Sequence, residues 1–346
     1  MGLFDGFKGG EPVDMGIRSA IKAELDRREW SYEENEESDE TRKEAYFYMR
    51  NELENDEPVT VVIAVREYNH ADGFIKIKIY DIAYLEANGN RAELLAKINE
   101  WNAEYRFVKF CLDGDQDVVV DIDLPLDLHN GEFKPDAVIA MMAIGMRVVE
   151  QVHESLMTLC DCANGGTARM HRHRNDTHIE RRIICMGLFD GFSGSEEGLR
   201  NSVYEAIKTE LDKQGLNYGE DTSEDGEDHI LRMRQKLDNG SVVSIAVVVT
   251  ENGDTNDFIK IKYFGMVRLD EKADPTVFHE KLNEWNSEYR YVKFVVDDDR
   301  DVVVDIDLPL DLHVGAFQVE SFMSMVGVGL QVIEEVYPEL MKLRWT

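Results

Sequence analysis

The chain has 346 residues, 70 acidic against 38 basic, for a formal net charge of −32. That length suits about two domains, and 43% hydrophobic residues supply two cores. The charge argues against nucleic acid, whose phosphates demand a positive face, and against anionic membranes. No apolar run approaches the roughly 20 residues of a membrane span. Protein remains as the expected partner class. The acidity then either keeps the chain soluble by self-repulsion, suits a salty cytoplasm, or faces a basic partner. The start lacks a basic n-region and an apolar h-region, so a cytoplasmic location is expected, with Cys111, Cys160, Cys162 and Cys185 reduced.

The chain repeats itself. Met1-Gly-Leu-Phe-Asp-Gly-Phe7 returns at residues 186–192, Asn99-Glu-Trp-Asn102 at 283–286, and residues 117–129 return intact at 301–313. From Asn99 to His129 the copies agree at 25 of 31 positions. A period near 184 residues is too long for a solenoid unit. The organisation expected is two tandem domains, 1–159 and 186–346, joined by 160–185.

Each copy opens with a helix. Ile17, Ile21 and Leu25 recur at helical spacing behind a candidate cap at Asp14, and Leu199, Val203, Ile207 and Leu211 do so before a stop at Gly215. Acidic stretches at 31–41 and 219–228 read as solvated loops. Three strands follow, near 44–51, 59–67 and 74–84, and near 228–236, 241–250 and 258–267. In the third, Ile75, Ile77 and Ile79 alternate with Lys76 and Lys78, which predicts one wet face.

A second helix carries Leu94, Ile98, Trp101 and Tyr105 on one face, and Asp274-Pro275 supplies a cap and first turn in the second copy. Trp101 and Trp285 are expected in the cores, and Asn102 and Asn286 as C-terminal caps. A hairpin comes next. Pairing centred on the turn 113–117 sets Phe110 against Val120, Val108 against Ile122 and Lys109 against Asp121, with apolar residues all on one side; Phe294, Val304 and Lys293–Asp305 repeat it. A long helix closes each copy, near 135–159 and 319–343. The order is α-β-β-β-α-β-β-α, which predicts an α+β domain whose antiparallel sheet is covered by helices on one face.

These residues resemble the YbjN family, described as bacterial sensory transduction regulators. The likeness lies in Asn-Glu-Trp-Asn, the following Tyr-Arg-Phe/Tyr-Val-Lys-Phe strand, an acidic turn and Asp-Val-Val-Val-Asp-Ile-Asp-Leu, and it covers both copies. The resemblance implies the same element order, a fold like that of type III secretion chaperones and a non-enzymatic regulatory or chaperone-like role. It brings no catalytic residues. By fold analogy, two fused copies would imitate a chaperone dimer.

Little else points to chemistry. Asp113, Asp115 and Asp117, like Asp297, Asp299 and Asp301, mimic the start of a calcium loop, but position six is Val118 or Val302, where that loop needs glycine. Asp121 and Asp123, with Asp305 and Asp307, place paired carboxylates on one strand face. They could serve a hydrolase or ligand sensor, yet Lys109 and Lys293 oppose them, and a surface ion pair is the expectation. His129 and His313 have no nucleophile beside them in both copies. The final helices carry Met141, Met142 and Met146, or Met323 and Met325, beside Gly145, Gly327 and Gly329. Met-rich surfaces adapt to partners, so these helices are the expected place for contact between copies. The Leu3, Phe4, Phe7 segment is either a docking peptide or a packed terminus. No cofactor and no metal is expected.

The joining segment 160–185 has five arginines against three acids and holds three of the four cysteines. Its Cys and His spacing, over Cys160, Cys162, His171, His173 and Cys185, matches no zinc pattern. Met186 repeats the context of Met1, and Glu180-Arg-Arg suits a purine-rich codon run upstream. The segment therefore reads as a disordered linker or as translated intergenic sequence between two joined genes.

Overall fold

The computed structural model describes residues 16–38, 42–68, 73–160, 202–224, 226–251 and 257–344. The joining segment beyond Cys160, the Met1–Phe7 and 186–192 repeats, Asp14 and Leu199 lie outside these residues. The first half runs α1 (Ile17–Arg27), β1 (Glu33–Ser38), β2 (Arg42–Glu52), β3 (Pro58–Tyr68), β4 (Phe74–Tyr84), α2 (Arg91–Glu104), β5 (Lys109–Leu112), β6 (Asp117–Pro125) and α3 (Pro135–Cys160). The second runs α4 (Val203–Lys213), β7 (Tyr218–Thr222), β8 (Asp228–Lys236), β9 (Val242–Thr250), β10 (Phe258–Phe264), α5 (Pro275–Glu288), β11 (Val292–Val296), β12 (Val302–Pro309) and α6 (Val319–Leu343). Each half is an antiparallel six-stranded sheet, ordered β1-β2-β3-β4-β6-β5 and β11-β12-β10-β9-β8-β7. The α+β class and the two-fold internal similarity stand.

The acidic stretches are not loops. Residues 33–38 and 218–222 form edge strands, with Glu34 opposite Phe47 and Tyr218 opposite Met233. Composition misleads here because cations wait on the first helix. Arg18 donates to Glu34 at 2.6 Å and pairs with Glu36 at 2.7 Å, and Lys208 holds Glu220 at 2.9 Å. A charged rim also discourages pairing with a stray strand. Each half is thus α-β-β-β-β-α-β-β-α, one strand longer than the sequence suggested.

Elsewhere local chemistry sets the elements. Gly16 precedes α1 in the left-handed region and caps nothing by side chain. Ser202 caps α4, and Gly215 ends it at φ +68°, donating to Asp212 O at 3.0 Å. Asp274 accepts from Thr276 N at 2.9 Å with Pro275 in the first turn of α5. Asp113 Oδ1 accepts from the amides of Asp115 and Asp117 at 2.9 and 3.0 Å, so the acidic turn is a hairpin device. Among the described residues no cluster of three His, Cys, Asp or Glu is arranged to hold a metal ion, and no helix is long and apolar enough to cross a membrane.

Helices cover one sheet face. Ile75, Ile77 and Ile79 are fully buried beneath them with Phe47, Val120 and Ile122. Trp101 and Trp285 lie in these cores, at 4% and 3% exposure. The methionines of the long helices do too. Met141, Met142 and Met146 belong to the first core and Met323 and Met325 to the second. They are buried in these cores.

The glycines explain how close those helices come. A Cβ on Gly145 would lie 2.9 Å from Ile122 Cδ1, and one on Gly329 would lie 2.4 Å from the Tyr263 ring. Tyr263 is held by its hydroxyl on Val326 O at 2.8 Å, so it cannot swing aside. Gly329→Ala is therefore expected to cost about 1–3 kcal/mol by overpacking, and more than Gly145→Ala, where an isoleucine methyl can shift. Urea unfolding of the two variants ranks them.

Candidate functional site

The site starts from an edge. β5 and β11 each end their sheet, so the groups of Phe110 and Leu112, or Phe294 and Val296, that point away from the neighbouring strand need partners. Asparagines on α2 and α5 supply them. Asn102 Nδ2 donates to Phe110 O at 2.9 Å while its Oδ1 accepts from Phe110 N at 2.7 Å, and Asn286 treats Phe294 identically. One helical turn earlier, Asn283 reaches the other half. It donates to Leu112 O at 2.7 Å and accepts from Leu112 N at 2.8 Å. Asn99 does the same to Val296, at 2.8 Å both ways. Asn102 and Asn286 are thus strand clamps, not helix caps. Asn99 and Asn283 were missed, although their identity in both copies, three residues before the second asparagine, was a legible signal.

The carboxylates and lysines lie behind this clamp. The strand register is the expected one, Lys109 opposite Asp121 and Lys293 opposite Asp305. The expected surface pair is nevertheless wrong, because the side chains are buried: Lys109 is 6% exposed, and Asp121 and Asp123 are each 4%. Lys109 Nζ donates to Tyr289 O at 2.7 Å and stands 3.5 Å from Asp123 Oδ2. Lys293 Nζ donates to Tyr105 O at 2.7 Å and to Asp307 at 3.2 Å. Lys76 binds Asp121 at 2.6 Å, and Lys260 binds Asp305 at 2.7 Å. Residues of the opposite half are what cover this part of the sheet. Cross-strand parity shows which way a side chain points, not what comes to lie on it.

The ionisation states follow. Burial would raise Asp123 and Asp307, but Lys109 with Lys76, and Lys293 with Lys260, outweigh it and hold both below the usual carboxylate range. Burial would lower Lys76, and Asp123 and Asp121 outweigh it, keeping its charge. For Lys293 burial wins, and its ammonium is pulled below the ordinary lysine value.

Aromatic and backbone contacts repeat the reciprocity. The Arg290 guanidinium sits 3.4 Å from the Phe74 ring centre, and Arg106 sits 3.5 Å from that of Phe258. Phe107 and Tyr291 hold left-handed backbone, φ 64° and 63°, which bulky residues avoid. In that conformation Tyr291 N donates to Asp123 at 3.1 Å and Phe107 N to Asp307 at 3.3 Å, each across the halves.

The chain after each hairpin also crosses over. Lys134 N donates to Leu312 O and Gln318 N to Leu128 O, both at 2.8 Å. Leu128 is buried in the second core and Leu312 in the first. Where the arms cross, a Cβ on Gly131 would lie 1.2 Å from Val314 O, and Gly315 holds φ +132°. His129 meets the Phe317 ring edge-on and His313 meets that of Phe133 at a tilt, with ring centres 5.6 and 5.3 Å apart. They are packing residues of the crossing. Burial, helped by His129, pulls His313 down to about 4.

This sequence matches the model of the YbjN family, "Putative bacterial sensory transduction regulator", over residues 80–156 and 204–342. The match spans more than half of the chain and falls once in each half, so the protein belongs to the YbjN family. No curated protein matches it significantly.

Two predictions follow from the geometry. Asn283→Ala strands the buried amide and carbonyl of Leu112, at about 1–3 kcal/mol for each unsatisfied group. The expected loss is about 2–4 kcal/mol in urea unfolding, together with faster hydrogen exchange at the Leu112 amide. The second concerns pH. His313 binds its proton more weakly folded than unfolded, so the unfolded state holds more protons between pH 6.5 and about 4. Stability should fall on acidification through that window by up to about 1.4 kcal/mol per pH unit. Asp123 and Asp307, depressed when folded, add a further loss only below the usual carboxylate value. His313→Phe should flatten the upper window and leave the lower one, as read from thermal unfolding across pH.

Proposed function

We propose that this chain is a non-enzymatic regulatory protein of the cytoplasm. In this reading its two copies pair as a pseudo-dimer that presents a composite surface to a protein partner. Family membership supports a regulatory role. The observation that carries the pairing is the reciprocal clamp, in which Asn99 and Asn283 each satisfy both backbone groups of an edge residue in the opposite copy. Such contacts satisfy buried groups on both sides, unlike loose contact between tethered domains. In this reading the long-helix methionines are core residues, and α2, α5, β5, β11 and the crossed arms make the contact between copies.

The alternative, a hydrolase or ligand sensor using Asp121, Asp123, Asp305 and Asp307, gains no support from the geometry. Each carboxylate is closed in against lysine, whereas an acid–base pair must reach a substrate. The acidity of the chain suits either a salty cytoplasm or a basic partner surface, and nucleic acid and membrane remain disfavoured on charge.

The test places a protease site within residues 161–201 of the full chain. After cleavage, the halves should co-elute on size exclusion at micromolar concentration. Asn99→Ala with Asn283→Ala and Lys293→Met should release them, since removing one member of a buried ion pair costs about 3–5 kcal/mol. Halves that separate without any substitution would refute the pairing. Failure of the intact chain to capture any protein at physiological salt would refute the binder.

A further inference from the structure

The sheet face opposite the helices differs between the halves. In the second half, Arg232 and Arg234 of β8 lie across from Ala246 and Ser244 of β9, which lie across from Lys262 and Phe264 of β10. On the other side of β8, Gly219 faces Arg232 and adds no side chain. A hollow of about 530 Å³ opens at this end of the face, with Gly219 and Ser244 in its lining and Arg232, Arg234 and Phe264 as walls. Strands sit about 4.8 Å apart, so the arginine row and the Lys262–Phe264 row stand about 10 Å apart. The floor continues along β9 to Val242, 51% exposed at one end, and to half-buried Val248 at the other.

In the first half the matching places hold Tyr48 and Arg50, Val62 and Thr60, and Lys78 and Tyr80. Tyr48 stands where the second half has Arg232, and Val62 where it has Ala246, so the first half lacks the pair of arginines and carries a bulkier side chain in the central row.

The charges are the informative part. Acids outnumber bases 70 to 38 in this chain, so a surface cation normally finds a carboxylate. Arg232 is half exposed and, among the described residues, forms an ion pair only with Asp221, at 3.6 Å. Among the described residues Arg234 and Lys262 form no ion pair, although Lys260, two residues before Lys262, pairs with Asp305 and Asp307. One guanidinium fork in a long ion pair and one with none, beside an aromatic wall, suit carboxylates flanked by apolar side chains.

We propose that this trough of the second half binds an extended acidic–apolar segment of a partner protein. The segment runs along β9. Its carboxylates alternate toward Arg232 and Arg234, and its apolar side chains lie on Phe264. The match is metric as well as chemical: alternate side chains of an extended chain repeat every ~6.8 Å, the spacing of the two arginines along their strand. The proposal rests on reading the chain as a protein binder and names one partner chemistry for it.

The test is fluorescence polarisation of the full chain with a labelled octapeptide of alternating Glu and Leu. Saturable binding is expected, weaker at high salt. Arg232→Glu with Arg234→Glu should weaken it at least tenfold, while Arg50→Glu in the first half should change it less than twofold. Lys262→Glu is the second variant should the double substitution disturb folding by circular dichroism. Absent binding, unchanged affinity in the trough variants, equal binding of a Lys-Leu peptide, or equal displacement by oligothymidine would each overturn the proposal. A chain that captures a partner unaffected by these substitutions would sink the trough and leave the binder standing.

Discussion

A strand at the rim of a sheet carries amides and carbonyls that must be satisfied, and here asparagine does it. A primary amide presents one donor and one acceptor side by side, the same pair that a strand residue offers along its edge. Two such amides three residues apart lie on one helix face. One of them turns to the helix's own sheet and the other to the neighbour. The Asn-Glu-Trp-Asn motif thus has a physical content: Trp101 anchors the helix in its core, and Asn99 and Asn102 divide two edge strands between them. The placement of α2 against α5, the burial of the lysine–aspartate network and the crossing of the arms all depend on that clamp holding the edges at the right distance.

The buried charges make sense in the same frame. A pair of ions removed from water is rarely a net gain over well-packed hydrophobics, but breaking it is costly. Lys109 and Lys293 spend donors on carbonyls of the opposite half, Tyr289 O and Tyr105 O, as well as on carboxylates. The alignment of the halves satisfies both ammoniums at once, and sliding one half along the other would part each from its carbonyl. The network therefore selects a register more than it adds stability. One further pair has no counterpart by the internal symmetry: Arg91 grips Glu280 through two bonds of 2.6 and 2.7 Å, where the other half has Pro275 and Ala96. The copies are alike at the clamp and have diverged around it.

Much of this was legible in the sequence. Period-two and period-3.6 patterns located the hairpin register, the amphipathic helices and the α+β class, because each is a short-range consequence of which residues avoid water. The acidic edge strands were not legible, since their partners, Arg18 and Lys208, come from a helix before them in the chain. The burial of Asp121 and Asp123 was not legible either, because it is imposed from the other half. Asn99 recurs with Asn102 in both copies, a legible signal, but the edge strand it would bind belongs to the other half and could not be read from its own helix. Gly131 and Gly315 were not singled out either, since only a chain passing at van der Waals distance explains why a methyl group cannot be there.

The crossed arms carry a further consequence. Leu128 completes the core of the second half and Leu312 that of the first. Neither hydrophobic core is closed by its own sequence, so neither half can melt without opening a cavity in the other. Two folds joined in this way are coupled in stability, because withdrawing either arm leaves a void in the other half's core. The repeat supplies two similar bodies, and the exchange of one leucine each way ties the packing of each to the other.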